Sequence, residues 1–487
     1  MPARSSDSGG LGSLYESLPR WAQTLAVNAY GLRTLARKAA WHRYLDEIAF
    51  TETLPRNEQV EYVRERLREM LKHAIRTVPR YGSYRGLLDE LGDPETDVFA
   101  LLGRLPVVTK NEVAADRESF LSTEPGATKI VSTMTSGTTG TPFTTSMSDE
   151  TLMRGDALWW RRNLWTGWRP GEWIVRLVGD HVVPMDEADP ESPWRVSWVD
   201  KRIYLSTWHL SAKTAAAYLD LLEAKRPEYI MGYPSSLEIL SAFCLESGRK
   251  LVWSPKAVWY SSEAMFEHQR VLIERVFRAP IHGLYGCAER LISAAECPHG
   301  SFHLSLVDAF AEGQFGMLES MRPTTITTLM NRVMPLVRFQ LGDVLEFFPG
   351  DECPCGRTLP LMKPAVAREG DWIETPSGRR VAPAALTLVV KDLEGVRRSQ
   401  IAQVGDRKVV VRVDAEESVV RSVDGPIRER LDSVFGGEME IKVERRTDIE
   451  RMATGKTRFV VREDRPRGDR TAEPGQTDAP ADNRTSG

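Results

Sequence analysis

Ser132-Thr133-Met134-Thr135-Ser136-Gly137-Thr138-Thr139-Gly140-Thr141-Pro142 is the stretch on which the reading of this chain turns. Beyond one Met it holds only small, hydroxylated and flexible residues. Gly137 and Gly140 tolerate the positive φ angles that aim successive backbone N–H groups at one anion, and the hydroxyls add further donors. The stretch therefore fits a phosphate-cradling loop. It is not a Walker loop, because no Gly-Lys-Ser/Thr closes it. A solvated Ser/Thr/Gly linker has the same composition, so the surroundings must decide. The apolar Ile130-Val131 just ahead is expected to end a buried strand.

Outward from the loop, alternation of short apolar runs with amphipathic segments continues to about residue 350. Residues 149–165 read as a helix, Trp173–Val178 as a strand and Ala212–Lys225 as a helix. Strands at Tyr229–Gly232 and Ala257–Tyr260 follow, the second leading into a helix around 264–277. Such alternation predicts an α/β fold with a largely parallel or mixed sheet, whose ligands sit at the carboxyl ends of strands. Upstream, residues 13–95 have a helical lead-in pattern, with Val60, Val63, Leu67, Leu71, Ala74 and Ile75 recurring every three or four positions. Thr109 and Glu112 are spaced as a capping box. From about 367 to 465 the texture changes to a small mobile α+β domain. It is expected to hold a hairpin at 372–381, a helix near 383–393, and strands at Lys408–Val413 and Met439–Val443 flanking a helix near 425–434. Residues 1–12 and 466–487 read as disordered, which leaves 13–366 as the large domain.

Composition narrows the class. The chain has 487 residues, 41% hydrophobic and 27% charged, with a net charge of −4. No basic face suggests a nucleic-acid partner. No apolar run reaches the length of a membrane span, and the first ten residues lack a secretory core, so a cytoplasmic protein with no membrane partner is expected. Five cysteines, an odd number, suit a reducing compartment better than a disulfide framework.

Four further patterns carry chemistry. In Leu284-Tyr285-Gly286-Cys287-Ala288-Glu289 an aromatic followed by Gly can stack on a flat base, and Glu289 can hold Mg²⁺; a strand end with an exposed Glu reads the same way. In Arg338-Phe339-Gln340-Leu341-Gly342-Asp343 the Asp can accept both hydroxyls of a ribose, or close an ordinary Gly-Asp turn. Met452-Ala453-Thr454-Gly455-Lys456-Thr457 offers a Lys on a flexible loop, suited to reach a phosphate from outside or simply to be solvated. Cys297 and His303, with five residues between them, and Cys353-Pro354-Cys355 could assemble a closed Cys₃His zinc site from two loops; His299 competes with His303, and buried thiols are the plain alternative.

Taken as an ordered set, these motifs resemble the adenylate-forming (acyl-CoA synthetase-like) superfamily over roughly residues 55–465. The chain looks most like its phenylacetate–CoA ligase branch and the capsule-biosynthesis-type relatives. Leu71-Lys72-His73-Ala74, Leu105-Pro106-Val107-Val108-Thr109-Lys110, Gly232-Tyr233-Pro234-Ser235 and Cys353-Pro354-Cys355-Gly356-Arg357 carry that likeness. The resemblance implies that Thr135, Ser136, Gly137, Thr138, Thr139 and Gly140 grip ATP phosphates. It implies that Tyr285 and Gly286 lie against adenine, that Glu289 ligates Mg²⁺, and that Asp343 binds the ribose. Arg368 would contact nucleotide near the hinge, Asp371 would be the pivot, and Lys456 would bridge carboxylate and α-phosphate. Tyr233, Pro234 and Ser262 would line the acyl pocket, with Trp208, Trp259 and Tyr260 either facing an aryl acid or packing the core. Cys297, His303, Cys353 and Cys355 would hold a structural Zn²⁺.

The expected reaction joins a carboxylic acid to ATP, releasing pyrophosphate, and then passes the acyl group to coenzyme A. An amine or hydroxyl acceptor, or a nucleotide-binding protein without catalysis, would share most of the motifs. The resemblance leaves room for a homodimer. Ala288, Leu341, Ala367 and Gly370 depart from the superfamily's usual residues.

Overall fold

The computed structural model of the protein describes residues 14–463, apart from 127–128, 136–142, 181, 185–189, 208, 211, 263–264, 266, 288, 317–323, 342, 344, 349–351, 364–372, 447–459 and, between 382 and 397, all but 386, 389, 393 and 396. Ser136 to Gly140, Arg368, Asp371, Lys456 and Trp208 thus lie outside the described residues.

A helical lead-in comes first, in separate helices at Arg20–Thr51, Arg56–Thr77 and Leu87–Gly92. In the second of these, Val63, Leu67, Met70, Leu71, Ala74 and Ile75 are buried, as their three-four spacing requires. It stops one residue before the Val78-Pro79 pair, because the residue ahead of Pro is forced into extended backbone. The expected capping box forms at the helix Lys110–Ala115: the Thr109 hydroxyl accepts from the Glu112 N–H, and the Glu112 carboxylate accepts from the Thr109 N–H.

Strand β1 (Ile130–Thr135) pairs antiparallel with β2 (Phe143–Ser148) in a two-stranded sheet of their own. This corrects the sequence reading. Ile130 is 48% exposed, so the strand before the hydroxyl-rich turn is neither buried nor part of the main sheet. A β-branched pair fits an exposed ribbon as well as a core strand, and apolarity over two residues cannot separate them.

The main sheet is built from β3 (Ile174–Leu177), β4 (Trp194–Ser197), β5 (Arg202–Leu205), β6 (Tyr229–Gly232), β7 (Ala257–Ser261), β8 (Ile281–Gly286), β9 (Ser293–Glu296), β10 (Phe302–Leu304), β14 (Glu346–Phe348) and β15 (Leu361–Lys363). A second sheet joins β11 (Ala309–Ala311), β12 (Thr325–Thr328) and β13 (Phe339–Gln340). In the main sheet the spatial order is β14-β15-β10-β9-β8-β7-β6-β3-β5-β4. Its centre, β5-β3-β6-β7-β8, is all parallel. The flanking pairs are antiparallel. The parallel centre has the strand–helix alternation predicted. The antiparallel wing is made of three- and four-residue strands, too short to show a period.

Two glycines let these layers close. A Cβ on Gly283 would lie 2.5 Å from the Tyr260 ring and 2.7 Å from Phe302, and one on Gly232 would lie 2.7 Å from Leu237. Trp259 is fully buried and stacks on Tyr229 at 4.5 Å, and Tyr260 covers Gly283. Of the two readings of these aromatics, core packing is the one observed.

The C-terminal part has its own apolar core, drawn from residues between 373 and 460. Hairpin β16 (Ile373–Glu374)–β17 (Arg380–Val381) turns at Gly378, whose φ is +80°. A four-stranded sheet follows, ordered β20-β19-β18-β21, from β18 (Arg398–Gln403), β19 (Lys408–Asp414), β20 (Glu440–Arg445) and β21 (Val460–Arg462). The helix between β19 and β20 spans Glu417–Phe435. It is longer than expected, because Gly425-Pro426 reads as a breaker yet lies inside it, with the stripe Val420, Val423, Ile427, Leu431 and Val434 buried on one face.

Candidate active site and metal centre

Tyr233 and Pro234 follow β6, Ser262 follows β7, and Tyr285 and Gly286 end β8. These strands are parallel neighbours, so the expected acyl-pocket and adenine residues share one carboxyl rim. Tyr233 is half-buried and stands at the N-cap of the helix Pro234–Glu246, its carbonyl accepting from the Leu237 N–H at 2.9 Å and its own N–H donating to the Leu177 carbonyl at 3.1 Å. Ser262 is exposed and has a φ of +71°, a conformation that turns the chain sharply away from β7.

The most telling contact on this rim joins two motifs far apart in sequence. The Tyr285 hydroxyl donates to Asp343 Oδ2 at 3.0 Å. Burial, and then the Asp343 carboxylate, push the Tyr285 phenol well above its ordinary range, so it stays a neutral donor. Asp343 is held by its backbone carbonyl, which accepts from the Thr324 N–H at 2.8 Å. Beside this pair, Lys110 Nζ lies 3.2 Å from Glu289 Oε1, with both side chains mostly buried. Lys110 was legible only as part of a family-like stretch, since its partner is 179 residues away. What brings it in is a parallel bridge between Val108 and Phe339, with the Val108 N–H on the Arg338 carbonyl and the Gln340 N–H on the Val108 carbonyl. The Arg338 guanidinium is clamped on Glu312 and on the Gly103 and Leu105 carbonyls, which fixes the same strand from below.

The hydroxyl-rich turn is represented by its stem. Thr135 is the last residue of β1, and its backbone pairs with Phe143. Arg117 Nη2 donates to the Ser146 hydroxyl, and Ser132 and Ser146 hydroxyls lie 2.8 Å apart across the ribbon. The Asn331 side-chain amide donates to the Ser146 carbonyl at 3.0 Å. Asn331 follows β12, whose neighbour β13 runs toward Asp343. The ribbon that presents the turn is thus tied to the sheet that presents the Asp. Cys287, inside the second motif, is a structural thiol: burial raises its pKa well above normal, and its sulfur accepts from the Leu291 N–H at 3.3 Å.

The metal reading can be tested on geometry. The ligand atoms of Cys297, His303, Cys353 and Cys355 all lie within 4.8 Å of one another. Cys297 and Cys353 sulfurs are 3.6 Å apart, and Cys355 Sγ is 3.3 Å from His303 Nε2. A disulfide needs about 2.05 Å. Thiolates at about 2.3 Å from a tetrahedral ion stand about 3.8 Å apart. The four side chains therefore fit a closed tetrahedral site, and they are supplied by the end of β9, by β10 and by the turn before β15. Burial, followed by the Arg357 charge, lowers the His303 pKa to about 4, which keeps the imidazole in its neutral, ligating form. Trp165 lies edge-on to His303 at 5.8 Å, and its indole N–H donates to Glu52, which also grips Arg161. His299 is exposed and offers the cluster only its backbone N–H, 3.4 Å from Cys297 Sγ.

Residues 373–463 match the family model described as the CapK C-terminal domain. Protein CapK of Staphylococcus aureus is 20% identical over 458 residues, covering 93% of this chain and 99% of that protein. Phenylacetate-coenzyme A ligase of Thermus thermophilus is 26% identical over 345 residues, covering 66% of this chain and 73% of that one. Among solved structures, a 2-hydroxyisobutyryl-CoA ligase complexed with 2-HIB-AMP and CoA aligns with a TM-score of 0.49 at 18% identity, over 85% of this chain and 92% of the other.

Proposed function

We propose that the chain is a CapK-like protein of the adenylate-forming superfamily, and that it activates a carboxylic acid with ATP and transfers the acyl group to coenzyme A. The observation that carries this reading is the Tyr285–Asp343 contact with Lys110–Glu289 beside it. An aromatic face, an acid suited to a ribose and an acid suited to a cation meet at one sheet rim, although their motifs are separated in sequence.

In this reading the ring of Tyr285 packs on adenine while Gly286 lets the backbone approach it. Asp343, oriented by the Tyr285 hydroxyl, accepts from the ribose. The Thr135–Gly140 turn offers N–H and O–H donors to the phosphates. Glu289 would hold Mg²⁺, which would supply charge neutralisation on the phosphate oxygens. Lys110, paired with Glu289 at 3.2 Å, holds that carboxylate in position. The carboxylate of the acid attacks the α-phosphorus, a P–O bond forms, and pyrophosphate leaves with the bonding pair. Lys456 offsets the charge gathering between acid and α-phosphate. The small domain then turns about Asp371 and withdraws Lys456. The thiol of coenzyme A attacks the acyl carbonyl and AMP departs. Arg368 holds the nucleotide on the hinge side. Cys297, His303, Cys353 and Cys355 would hold Zn²⁺ as a structural clasp, because four protein ligands leave no open position.

The substrate in this reading is an aryl or arylacetic acid, bound between Tyr233-Pro234 and Ser262. Support for that class comes from the phenylacetate–CoA ligase relative, since Trp259 and Tyr260 belong to the core. The test is acid-dependent exchange of labelled pyrophosphate into ATP, over a panel of aryl, arylacetic, fatty and amino acids. Exchange with aryl or arylacetic acids, and AMP release that requires coenzyme A, are expected. Exchange with no acid would refute the reading, and AMP release that needs an amine or alcohol would refute the acceptor.

A further inference from the structure

The helix Arg20–Thr51 has two apolar faces. One is buried: Val27, Trp41, Tyr44 and Ile48 are 5–6% exposed. On this side Gly31 meets Ser197, and the Asn28 amide donates to the Val196 carbonyl at 3.1 Å, so the helix seals the β4 edge of the main sheet. The other face carries Trp21, Leu25, Ala29, Leu32 and Ala36, spaced four, four, three and four apart and all exposed. That spacing places them in one line. Trp21 is 68%, Leu25 61% and Leu32 62% exposed. Asn28 Oδ1 also accepts from the Trp198 N–H, which sets the half-exposed Trp198 ring beside the line, with Lys225 over it at 4.5 Å. A continuous apolar strip of this kind marks an interaction surface.

Charge decides what covers it. Residues 20–45 hold five basic residues, Arg20, Arg33, Arg37, Lys38 and Arg43, and no Asp or Glu, in a chain whose net charge is −4. Arg20 and Arg37 turn to Glu191 and Asp149, whereas Arg33 and Arg43 are exposed. A second copy of the same helix would set like charges against each other, which is unfavourable. A surface of anionic headgroups matches both features, since Trp and Leu sink to the headgroup boundary while basic side chains meet the anionic heads. We propose that this face of the protein docks on an anionic lipid bilayer. The helix would lie on the surface; among the described residues none is long and apolar enough to cross a membrane.

The experiment is flotation of the full chain with vesicles of phosphatidylcholine, with and without phosphatidylglycerol, at low and high salt. The wild-type chain should float with the anionic vesicles, and less so at high salt. Leu25→Glu/Leu32→Glu should lower the bound fraction at least about tenfold, and Arg33→Gln about fivefold. Both leucines are exposed, so melting temperature and pyrophosphate exchange should be unchanged in the double variant. Failure of the wild type to float, or equal flotation of the double variant, would overturn the proposal. So would a wild-type dimer, seen by light scattering without lipid, that the double variant lacks. A failed proposed function would leave the flotation result intact, so the two stand or fall separately.

Discussion

Tyr285→Phe removes one oxygen and leaves the ring that is proposed to face adenine. In the wild type that oxygen donates to Asp343 Oδ2 at 3.0 Å in a half-buried setting. A hydrogen bond to a charged group contributes about 1.5–3 kcal/mol. Asp343 keeps some contact with solvent, so the lower half of that range applies. About 1.5–2 kcal/mol corresponds to a factor of roughly 10 to 30 at about 1.4 kcal/mol per tenfold. The loss should fall on ATP binding, because in the proposed reading the pair orients the ribose acceptor and touches no reacting atom. KM for ATP in the exchange assay should therefore rise about 10- to 30-fold, with kcat within about twofold of wild type. Asp343→Ala should raise KM further still. A fall in kcat at unchanged KM would place the pair in the chemical step. No change in either constant would remove the nucleotide from this rim.

Lys456→Ala should abolish pyrophosphate exchange yet spare thioester formation from supplied acyl-AMP, measured by thiol consumption; equal loss of both steps would contradict the assigned role. The chain should purify with about one Zn²⁺ by elemental analysis, and Cys353→Ser should lose the metal and lower the melting temperature while leaving any surviving activity with an unchanged ATP KM. Asp308 is buried, and its carboxyl pKa is pushed up to about 7 by burial against hydrogen bonds from Ser293, Ser305 and the Ala309 N–H. Its folded state thus holds a proton that the unfolded chain has released, so Asp308 by itself lowers the unfolding free energy as pH rises from about 4 to 7, against the opposite contribution of His282 and His303, whose pKa values burial lowers to about 4. Asp308→Asn should remove that contribution, so that unfolding free energy rises more steeply with pH in the variant than in the wild type in urea titrations across the same window, and an unchanged slope would reject the assignment.

The parts of the fold that were legible in sequence are those with a long period or a strong local signal. The helices at 56–77, 149–165 and 212–225, the parallel strands β3, β6 and β7, and the capping box all announce themselves within a few residues. The antiparallel wing β9, β10, β14 and β15 did not, because three- and four-residue strands take their identity from their neighbours. The aromatics of β7 were ambiguous for a related reason: a Trp in a strand can face a ligand or a Tyr behind it, and only the Tyr229 ring at 4.5 Å decides. Of the candidate site, Tyr285, Asp343 and Glu289 were readable as types with suitable chemistry, but not the Tyr285–Asp343 or Lys110–Glu289 contacts. Lys110 entered the site through a strand bridge from Val108 to Phe339, a contact with no local trace. The cysteines were readable by spacing, and the structure separated His303 from His299 by burial.

The central claim is that an acid oxygen attacks the α-phosphorus of ATP. Its most direct test uses the acid that supports exchange, carrying ¹⁸O in its carboxylate, followed by mass spectrometry of the products after coenzyme A is added. The account predicts AMP that has gained one labelled oxygen, with none in pyrophosphate. Label in inorganic phosphate, or AMP without label, would contradict it.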